Sequence, residues 1–421
     1  MKQLIQRYSS TSLILRIVIG IIVGVILALL VPQATGIGML GTLFVGALKA
    51  IAPVLVAVLV ASSLCQGRTG LDRRFGLVVF LYVFSTYLAS FTAVIMSFLF
   101  PQKIALSAEL VAEETTAAPS GLGDVISTLL SNIIANPVSS VANANYLGIL
   151  FWAVVVGLAL KKFAAPTTQT VLQNLSDAIT EIVRWIINLA PFGICGLVFS
   201  AVSESGLDIF TTYGRLLLLL VGTMLLVALV VNPLLVFLVL RRNPYPLVLR
   251  CIRESGFTAF FTRSSAANIP VNMELCEKLK LDRDMYSVSI PLGSTINMDG
   301  ASVTITIMTL ATAYTLGIDV SLPTAMVLSF LSALAACGAS GVTGGSLLLI
   351  PMACSLFGIS DSISMQVVGV GFIIGVIQDS METAVNSSAD AIFTATAEYA
   401  QWKKTGKSLP RFLGGEAETD I

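Results

Sequence analysis

Five polar residues share one face of the last long apolar stretch of this sequence, residues 363–396. They are Asp379, Glu382, Thr383, Asn386 and Asp390. At 100° per residue, all five point into one helical stripe about 100° wide. A charge at bilayer depth costs about 2.5–3.5 kcal/mol, so three acids there cost on the order of 8–10 kcal/mol if unpartnered. Cations together with a cationic substrate group would offset that cost. A network paired with arginines elsewhere in the chain is the alternative.

A second polar run interrupts an earlier apolar stretch, residues 286–317. It reads Gly293-Ser294-Thr295-Ile296-Asn297-Met298-Asp299-Gly300-Ala301-Ser302. The glycine, serine, threonine, asparagine and aspartate residues of this run are poor formers of an uninterrupted helix, so we expect the helix to unwind here. Unwound backbone at membrane depth is tolerated only inside protein or beside a water-filled cavity. Carbonyl, amide and carboxylate oxygens in such a break are ligands for a hard cation, and sodium fits them. A flexible kink is the alternative.

Two further apolar segments, 247–278 and 323–358, are interrupted midway by small and polar residues. The interruptions lie at 262–270 and 337–346. This composition predicts re-entrant hairpins, whose outgoing half-helices would present free N–H groups to an anion such as a carboxylate. Each hairpin precedes a span with a polar core, which is the pattern expected of an inverted-repeat transporter. A single crossing by each segment is the alternative.

Long apolar helices must position these residues. We predict an all-α polytopic membrane protein with eight transmembrane helices plus two re-entrant helical hairpins. The predicted spans are 13–31, 38–65, 75–100, 146–160, 179–201, 213–240, 286–317 and 363–396. Lys and Arg cluster at alternate connections, which places both chain ends in the cytoplasm. We expect an external loop at 104–145 and a flexible polar tail after Trp402.

The composition excludes several functional classes. The chain has no histidine, so it carries no Ser-His-Asp or Cys-His catalytic group and no histidine metal site. Its 24 basic and 24 acidic residues balance, and charged residues make up only 11% of the chain. The sequence therefore shows no excess of basic residues of the kind that binds nucleic acid. The six cysteines are scattered, which indicates neither a disulfide framework nor a cysteine metal site.

Taken together, these motifs resemble the dicarboxylate/amino acid:cation symporter family over essentially the whole chain. The resemblance rests on Arg263-Ser264-Ser265, Asn297-Met298-Asp299-Gly300, the glycine-rich second tip, and Asn386 with Asp390. The segment 378–388 is most similar to the bacterial sodium-coupled serine/threonine branch. The resemblance implies a homotrimer in the lipid of the bacterial inner membrane, in which a transport domain moves as an elevator against a static scaffold.

The resemblance also implies how the chain is divided. The expected parts are 1–74 (scaffold helices 1 and 2), 75–101 (helix 3 of the transport domain), 102–245 (external loop, scaffold helices 4 and 5, and helix 6), 246–400 (transport core with hairpin 1, helix 7, hairpin 2 and helix 8) and 401–421 (cytoplasmic tail).

The site residues follow from the same resemblance, position by position. The substrate positions are Arg263, Ser265, Val342, Ser346, Asp379, Glu382, Thr383 and Asn386. Asp379 matches the acid that receives a substrate ammonium, and Asn386 the amide that holds its carboxylate. The sodium positions are Gly293, Asn297, Asn386 and Asp390 for one ion, Thr295 and Met298 with carbonyls near Cys337 and Ala339 for a second, and Asn297 and Asp299 with Tyr82, Ser85 and Thr86 for a third. Helix packing is the alternative for the Tyr82–Thr86 cluster.

Two positions depart from the family pattern. Glu382 stands where transporters of acidic amino acids place an arginine, and there it would repel a second substrate carboxylate. Ala301 replaces a threonine, which removes one hydroxyl from the pocket. We therefore expect a sodium-coupled symporter for L-serine and L-threonine, not an enzyme. Other amino acids or dicarboxylates, or an ion channel, are the alternatives. Whether Glu382 contacts substrate or pairs with Arg263 is left open.

Overall fold

The computed structural model describes residues 13–66, 73–106, 134–143, 145–337, 339 and 344–415, and this part of the chain is helical without strands. The all-α prediction is confirmed for it. The α-helices are α1 (Leu13–Leu30), α2 (Gly38–Gln66), α3 (Arg73–Leu99), α4 (Pro137–Ala142), α5 (Tyr146–Phe163), α6 (Pro166–Asn188), α7 (Ala190–Ser205), α8 (Ile209–Leu226), α9 (Asn232–Leu240), α10 (Tyr245–Cys251), α11 (Phe257–Thr262), α12 (Ser265–Lys278), α13 (Arg283–Ile296), α14 (Asp299–Thr315), α15 (Leu322–Ala336), α16 (Ile350–Ser355) and α17 (Asp361–Lys404).

Several helices have the length and apolar composition of membrane spans. Among the described residues these are Thr35–Gln66, Arg74–Leu99, Phe210–Leu240 and Asp361–Lys404. The pair α6 and α7 adds a fifth if the bent pair counts as one crossing. These helices agree with a membrane protein. Eight crossings plus two hairpins remain a prediction, because several predicted spans are short or broken.

The predicted span 179–201 is two helices rather than one. Helix α6 ends at Asn188 and α7 begins at Ala190, with a bend of 52° between them. Pro191 lies in the first turn of α7. A proline has no N–H to donate, and its ring clashes with the carbonyl four residues earlier, so it favours a helix start over a helix interior.

The two interruptions predicted in the transport core are present. Helices α13 and α14 are separated by Asn297 and Met298, inside the polar run at 293–302. Helices α11 and α12 are separated by Arg263 and Ser264, and Arg263 has a left-handed backbone with φ of 52°. The chain turns back on itself there, because Asn268 Nδ2 donates to Ser255 Oγ at 3.0 Å across the two arms.

The second hairpin region has the same helix, tip and helix order. Helix α15 ends at Ala336, and a 3-10 turn at Ser346–Leu349 leads directly into α16. Gly344 in the tip has a φ of 72°, a conformation that glycine adopts without strain. The remaining tip residues, 338 and 340–343, lie outside the described residues.

Helix α17 is the central element of the site. Its 44 residues span about 66 Å. It packs against α3, α9, α11, α12, α13 and α14. Helix α14 is buried at every position from Asp299 to Ala313. The polar residues of this stretch of α14, and those from Gln378 to Asp390 on α17, therefore face protein rather than lipid. A separate group of contacts joins α7 to α1 and α2, and α2 to α5 and α6.

The segment after α17 packs onto the helices, which corrects the expectation of a flexible tail. Leu409 and Leu413 are buried, and they join the same apolar cluster as Trp402. Phe412 packs against that cluster, and Lys407 Nζ lies 3.4 Å from the centre of the Trp402 ring. Three apolar residues spaced along a polar segment supplied enough buried surface to order it.

Candidate substrate and cation site

All five polar residues of the predicted stripe on α17 are buried, and none is more than 6% exposed. Helical periodicity places them on one face, and α14 and the two hairpin tips cover that face. The side chains divide into a group around Asp379 and Glu382 and a group around Asn386 and Asp390.

Asp379 is held by both hairpin tips. Arg263 Nε donates to Asp379 Oδ2 at 2.7 Å, and the backbone N–H of Gly344 donates to Asp379 Oδ1 at 3.0 Å. Arg263 Nη2 also donates to the carbonyl of Gly375 at 3.3 Å. One turn along α17, Thr383 Oγ1 donates to the carbonyl of Asp379 at 2.7 Å. Arg263 thus pairs with Asp379 rather than with Glu382, and a contact between Glu382 and substrate remains a prediction.

Glu382 accepts three hydrogen bonds on a single oxygen. Thr304 Oγ1 and Ser346 Oγ each donate to Glu382 Oε2 at 2.8 Å, and Gln378 Nε2 donates to it at 2.6 Å. Ser346 belongs to the second hairpin region and Thr304 to α14. The carboxylate therefore joins three elements at the place where a substrate side chain is expected.

Asn386 connects the broken helix to α17. Its Oδ1 accepts from the N–H of Gly300 at 2.7 Å, and its carbonyl accepts from Asn297 Nδ2 at 3.3 Å. Its Nδ2 lies 3.4 Å from the Met298 sulfur, which is a weak acceptor. The amide donor of Asn386 is therefore available for a stronger acceptor such as a carboxylate.

Asp390 lies against the end of α13. Asn297 Nδ2 donates to Asp390 Oδ1 at 2.8 Å, and the Tyr82 hydroxyl lies 3.1 Å from the Asp390 carbonyl. A Cβ added at Gly293 would lie only 2.7 Å from Asp390 Oδ1. The absence of a side chain at Gly293 leaves the carboxylate close to backbone, as an oxygen-lined cation site requires.

Asp299 lies where α14 meets α3 and α9. Ser85 Oγ donates to Asp299 Oδ1 at 2.8 Å, and Thr86 Oγ1 lies 3.3 Å from the same atom. Asn232 Nδ2 donates to Asp299 Oδ2 at 2.9 Å. Ser85 Oγ is also 3.2 Å from Asn297 Oδ1. The structure thus brings Ser85, Thr86, Asn297 and Asp299 together, whereas the hydroxyl of Tyr82, the other residue predicted for the third ion, lies beside the carbonyl of Asp390.

The remaining predicted positions lie at the edges of these groups. Ser265 is buried at the first turn of α12. Thr295 Oγ1 donates to the carbonyl of Leu292 at 2.7 Å, and Cys337 Sγ lies 3.3 Å from the carbonyl of Ile296. Val342 lies outside the described residues, so its predicted substrate contact remains a prediction.

Charge balance indicates what this site can hold. Among the described residues, no Lys or Arg forms an ion pair with Glu382, Asp299 or Asp390. Buried carboxylates without a counter-charge are costly, and a bound cation removes that cost. The donors nearby are hydroxyl, amide, carbonyl and carboxylate oxygens, which suit sodium. In the described part of the chain, no three His, Cys, Asp or Glu side chains gather to hold a metal, so the donor set does not resemble a transition-metal centre.

Comparison with known proteins identifies the family. The sequence model of the sodium:dicarboxylate symporter family matches residues 13–399. The chain belongs to this family. Membership confirms the resemblance deduced from the motifs, and it confirms that the chain is a transporter rather than an enzyme.

Relatives match over nearly their full length. The chain is 62% identical over 411 residues to the serine/threonine transporter SstT of Bifidobacterium adolescentis, which covers 98% of this chain and 95% of that one. It is 55% identical over 405 residues to the transporter of the same name from Streptococcus thermophilus, and 56% identical over 404 residues to that of Streptococcus agalactiae serotype Ia. Both alignments cover 96% of this chain and 100% of the relative.

Three residues that contact the buried acids of this family member were not predicted from the sequence. Gln378 precedes Glu382 by four residues, so helical spacing could have revealed it. Thr304 is one of many threonines in α14, and nothing in the sequence distinguishes it. Asn232 is an isolated amide in an apolar run, and that isolation was the available signal.

Proposed function

We propose that this protein is a sodium-coupled symporter that imports L-serine and L-threonine across the bacterial inner membrane. The names of the relatives support the substrate, and the family supports coupling to sodium. One structural observation carries the proposal. Asp379 on the face of α17 that meets the broken helix pairs with Arg263, but the buried carboxylates of Glu382 and Asp390 form no ion pair with any Lys or Arg that the structure describes.

The zwitterionic part of the amino acid would lie between the hairpin tips and α17. Its ammonium would face Asp379, and the lone pairs of the Thr383 hydroxyl would be a second acceptor. Its carboxylate would face the amide donor of Asn386, which has only the Met298 sulfur as a weak acceptor among the described residues, and the N-terminus of α12 at Ser265, where helix N–H groups favour an anion. Arg263 would keep a positive charge beside that carboxylate.

The side chain of the substrate would be selected at Glu382. An aspartate or glutamate side chain would bring a second negative charge close to this buried carboxylate, which is unfavourable. A serine or threonine hydroxyl can instead donate a hydrogen bond to it. Ser346 and Thr304 already donate to Glu382 Oε2, which fixes the carboxylate in position for such a contact.

Coupling between sodium and the amino acid would depend on the side-chain amides of Asn297 and Asn386, which contact both the cation positions and the substrate positions. Asn386 accepts from Gly300, and Asn297 donates to both Asn386 and Asp390. Sodium bound at Asp390 would order this broken segment and thereby fix the Asn386 amide that faces the substrate carboxylate. Each ligand would then raise the affinity for the other by the same factor.

Movement of the loaded site would follow closure of the second hairpin. Its described tip contacts α17 through Gly344 to Asp379 and through Ser346 to Glu382. The first hairpin also contacts Asp379, through Arg263, but it is held in addition by a buried amide, since Asn268 Nδ2 donates to Ser387 Oγ at 2.7 Å. The second hairpin would therefore be the one that opens. A homotrimer with a static scaffold and an elevator movement completes the proposal.

Asp379→Asn tests the proposal in proteoliposomes with radiolabelled serine and an inward sodium gradient. We expect accumulation to fall at least about tenfold, because the ammonium loses its counter-charge in a buried site. Asp361→Asn, in the first turn of the same helix, is the matched control and should accumulate serine normally. Undiminished uptake by Asp379→Asn would remove the ammonium role. Sodium current without accumulation in the unaltered protein would favour a channel, and inhibition by aspartate but not threonine would favour an acidic substrate.

A further inference from the structure

Asn232 is an isolated polar side chain in an apolar helical stretch. It follows a π-helical turn at Val227–Val231, begins α9, and is 1% exposed. Pro233 comes next and has no N–H to donate, which accounts for a local change in helical hydrogen bonding. Such π-helical turns occur frequently at functional sites. Apolar packing does not explain a buried amide here, because an apolar side chain would fill the same space without polar atoms to satisfy.

The amide of Asn232 meets the most enclosed acid of the cation site. Its Nδ2 donates to Asp299 Oδ2 at 2.9 Å, whereas Ser85 and Thr86 from α3 approach the other oxygen, Oδ1. Helices α3, α9 and α14 therefore each contribute a residue to one place. The sequence motifs placed only α3 and α14 there, so α9 is an additional wall of the site.

The other atom of this amide has no partner. Asn232 Oδ1 is buried and accepts no hydrogen bond from any residue that the structure describes. A buried acceptor without a donor is unfavourable. Oδ1 is bonded to the same carbon as Nδ2, so it lies no more than about 5 Å from Asp299 Oδ2. A cation next to Asp299 would remove both the uncompensated charge and the unsatisfied oxygen.

We propose that Asn232 Oδ1 is a further oxygen ligand of the sodium ion held at Asp299. This inference rests on the proposed function, because it assumes that sodium is the coupling ion. It adds a ligand from α9 to a group whose other members come from α3 and from the break between α13 and α14. Sodium binding would then tie α9 to the transport core.

Asn232→Leu tests the inference, because leucine keeps a similar volume and removes both amide atoms. The purified protein is melted in detergent with increasing sodium chloride or choline chloride, without amino acid, so that the readout is ion binding rather than transport. We expect the sodium concentration for half-maximal stabilisation to rise at least about tenfold. Thr223→Val is the matched control. Thr223 is buried on α8 and donates only to the carbonyl of Leu219, at 2.7 Å, so its loss should leave the sodium response unchanged.

Asn232→Asp distinguishes a sodium ligand at Oδ1 from an amide that only donates to Asp299. It also tests the inference if the Asn232→Leu protein does not fold. Aspartate keeps an oxygen but cannot donate to Asp299, so the sodium-free form should melt earlier and sodium should stabilise it by a larger margin. If the amide only donates to Asp299, sodium will not restore this variant. An unchanged or lower half-maximal concentration in Asn232→Leu overturns the inference. A failure of sodium to stabilise the unaltered protein would instead count against the proposed function.

Discussion

Gly293→Ala adds a methyl group between α13 and the carboxylate of Asp390. The new Cβ would lie 2.7 Å from Asp390 Oδ1 and 2.9 Å from Tyr82 Cζ. Both distances are too short for non-bonded contact, so one neighbour must move. The Tyr82 hydroxyl is held among the carbonyl of Ser289 at 3.2 Å, the carbonyl of Asp390 at 3.1 Å and Thr394 Oγ1 at 2.8 Å. The Asp390 carboxylate is therefore the group that shifts.

The cost falls mainly on the sodium-bound form. Overpacking of this kind costs about 1–3 kcal/mol. The better helix propensity of alanine stabilises the sodium-free and sodium-bound forms equally, so it does not change the affinity. Without sodium, the Asp390 carboxylate can turn away from the new methyl group. With sodium bound, the carboxylate must stay in place, so we expect about 1–2 kcal/mol of lost affinity, which is a factor of about 5–30.

The assay is serine uptake into proteoliposomes at saturating serine and increasing external sodium. Gly293→Ala should raise the half-saturating sodium concentration by the factor given above and leave the maximal rate within about threefold. Gly222→Ala is the matched control, because nothing lies within 4 Å of a Cβ at that position of α8. A folded Gly293→Ala protein with unaltered sodium dependence would refute the placement of sodium beside Asp390.

Two further substitutions probe Glu382, the proposed selectivity residue, and the ion pairs of Arg74. Glu382→Gln should let aspartate inhibit serine uptake. Like charges about 4 Å apart repel by up to about 4 kcal/mol at an effective dielectric constant near 20, and this substitution removes the repulsion. Serine uptake measured with aspartate as competitor tests this, and continued insensitivity to aspartate would contradict the prediction. Arg74→Ala should destabilise the protein by about 2 kcal/mol and lower its melting temperature by about 2 °C. Arg74 Nη1 lies 3.0 Å from Asp282 and 3.2 Å from buried Glu398. Arg253→Ala is the control, because the ion pair between Arg253 and Glu254 is largely exposed to solvent, and this variant should melt at the same temperature as the unaltered protein. Equal melting temperatures for the two variants would contradict the prediction.

The two hairpins differ in how they are attached to α17. Asn268 and Asn272 on α12 both donate to Ser387, at 2.7 Å to its Oγ and 2.9 Å to its carbonyl respectively. Both amides are buried, and an amide pulled away from such partners inside protein loses them without gaining water. The second hairpin touches α17 near the acids that substrate would contact. Both tips contact Asp379, since Arg263 of the first hairpin pairs with it. The first hairpin has these additional buried contacts to Ser387, so we expect substrate binding to move the second hairpin more than the first.

The polar stripe and the broken helix could be predicted because both arise from local rules. The spacing of Asp379, Glu382 and Asp390 fixes a common face through helical geometry alone. The helix break at Asn297 and Met298 follows from residues that form helices poorly. A buried acid on an apolar span is so unfavourable that its presence by itself predicts a compensating partner.

The sequence alone determined that the chain is helical, that it is a membrane protein, and that its acids lie on one side of the last helix. These properties depend on composition and on residues only a few positions apart. The tertiary structure decided that Arg263 pairs with Asp379, that Asn232 contacts Asp299, and that Leu413 anchors the tail. The first two contacts join residues 116 and 67 positions apart. Contacts over such separations depend on how whole helices pack, and no local periodicity encodes them.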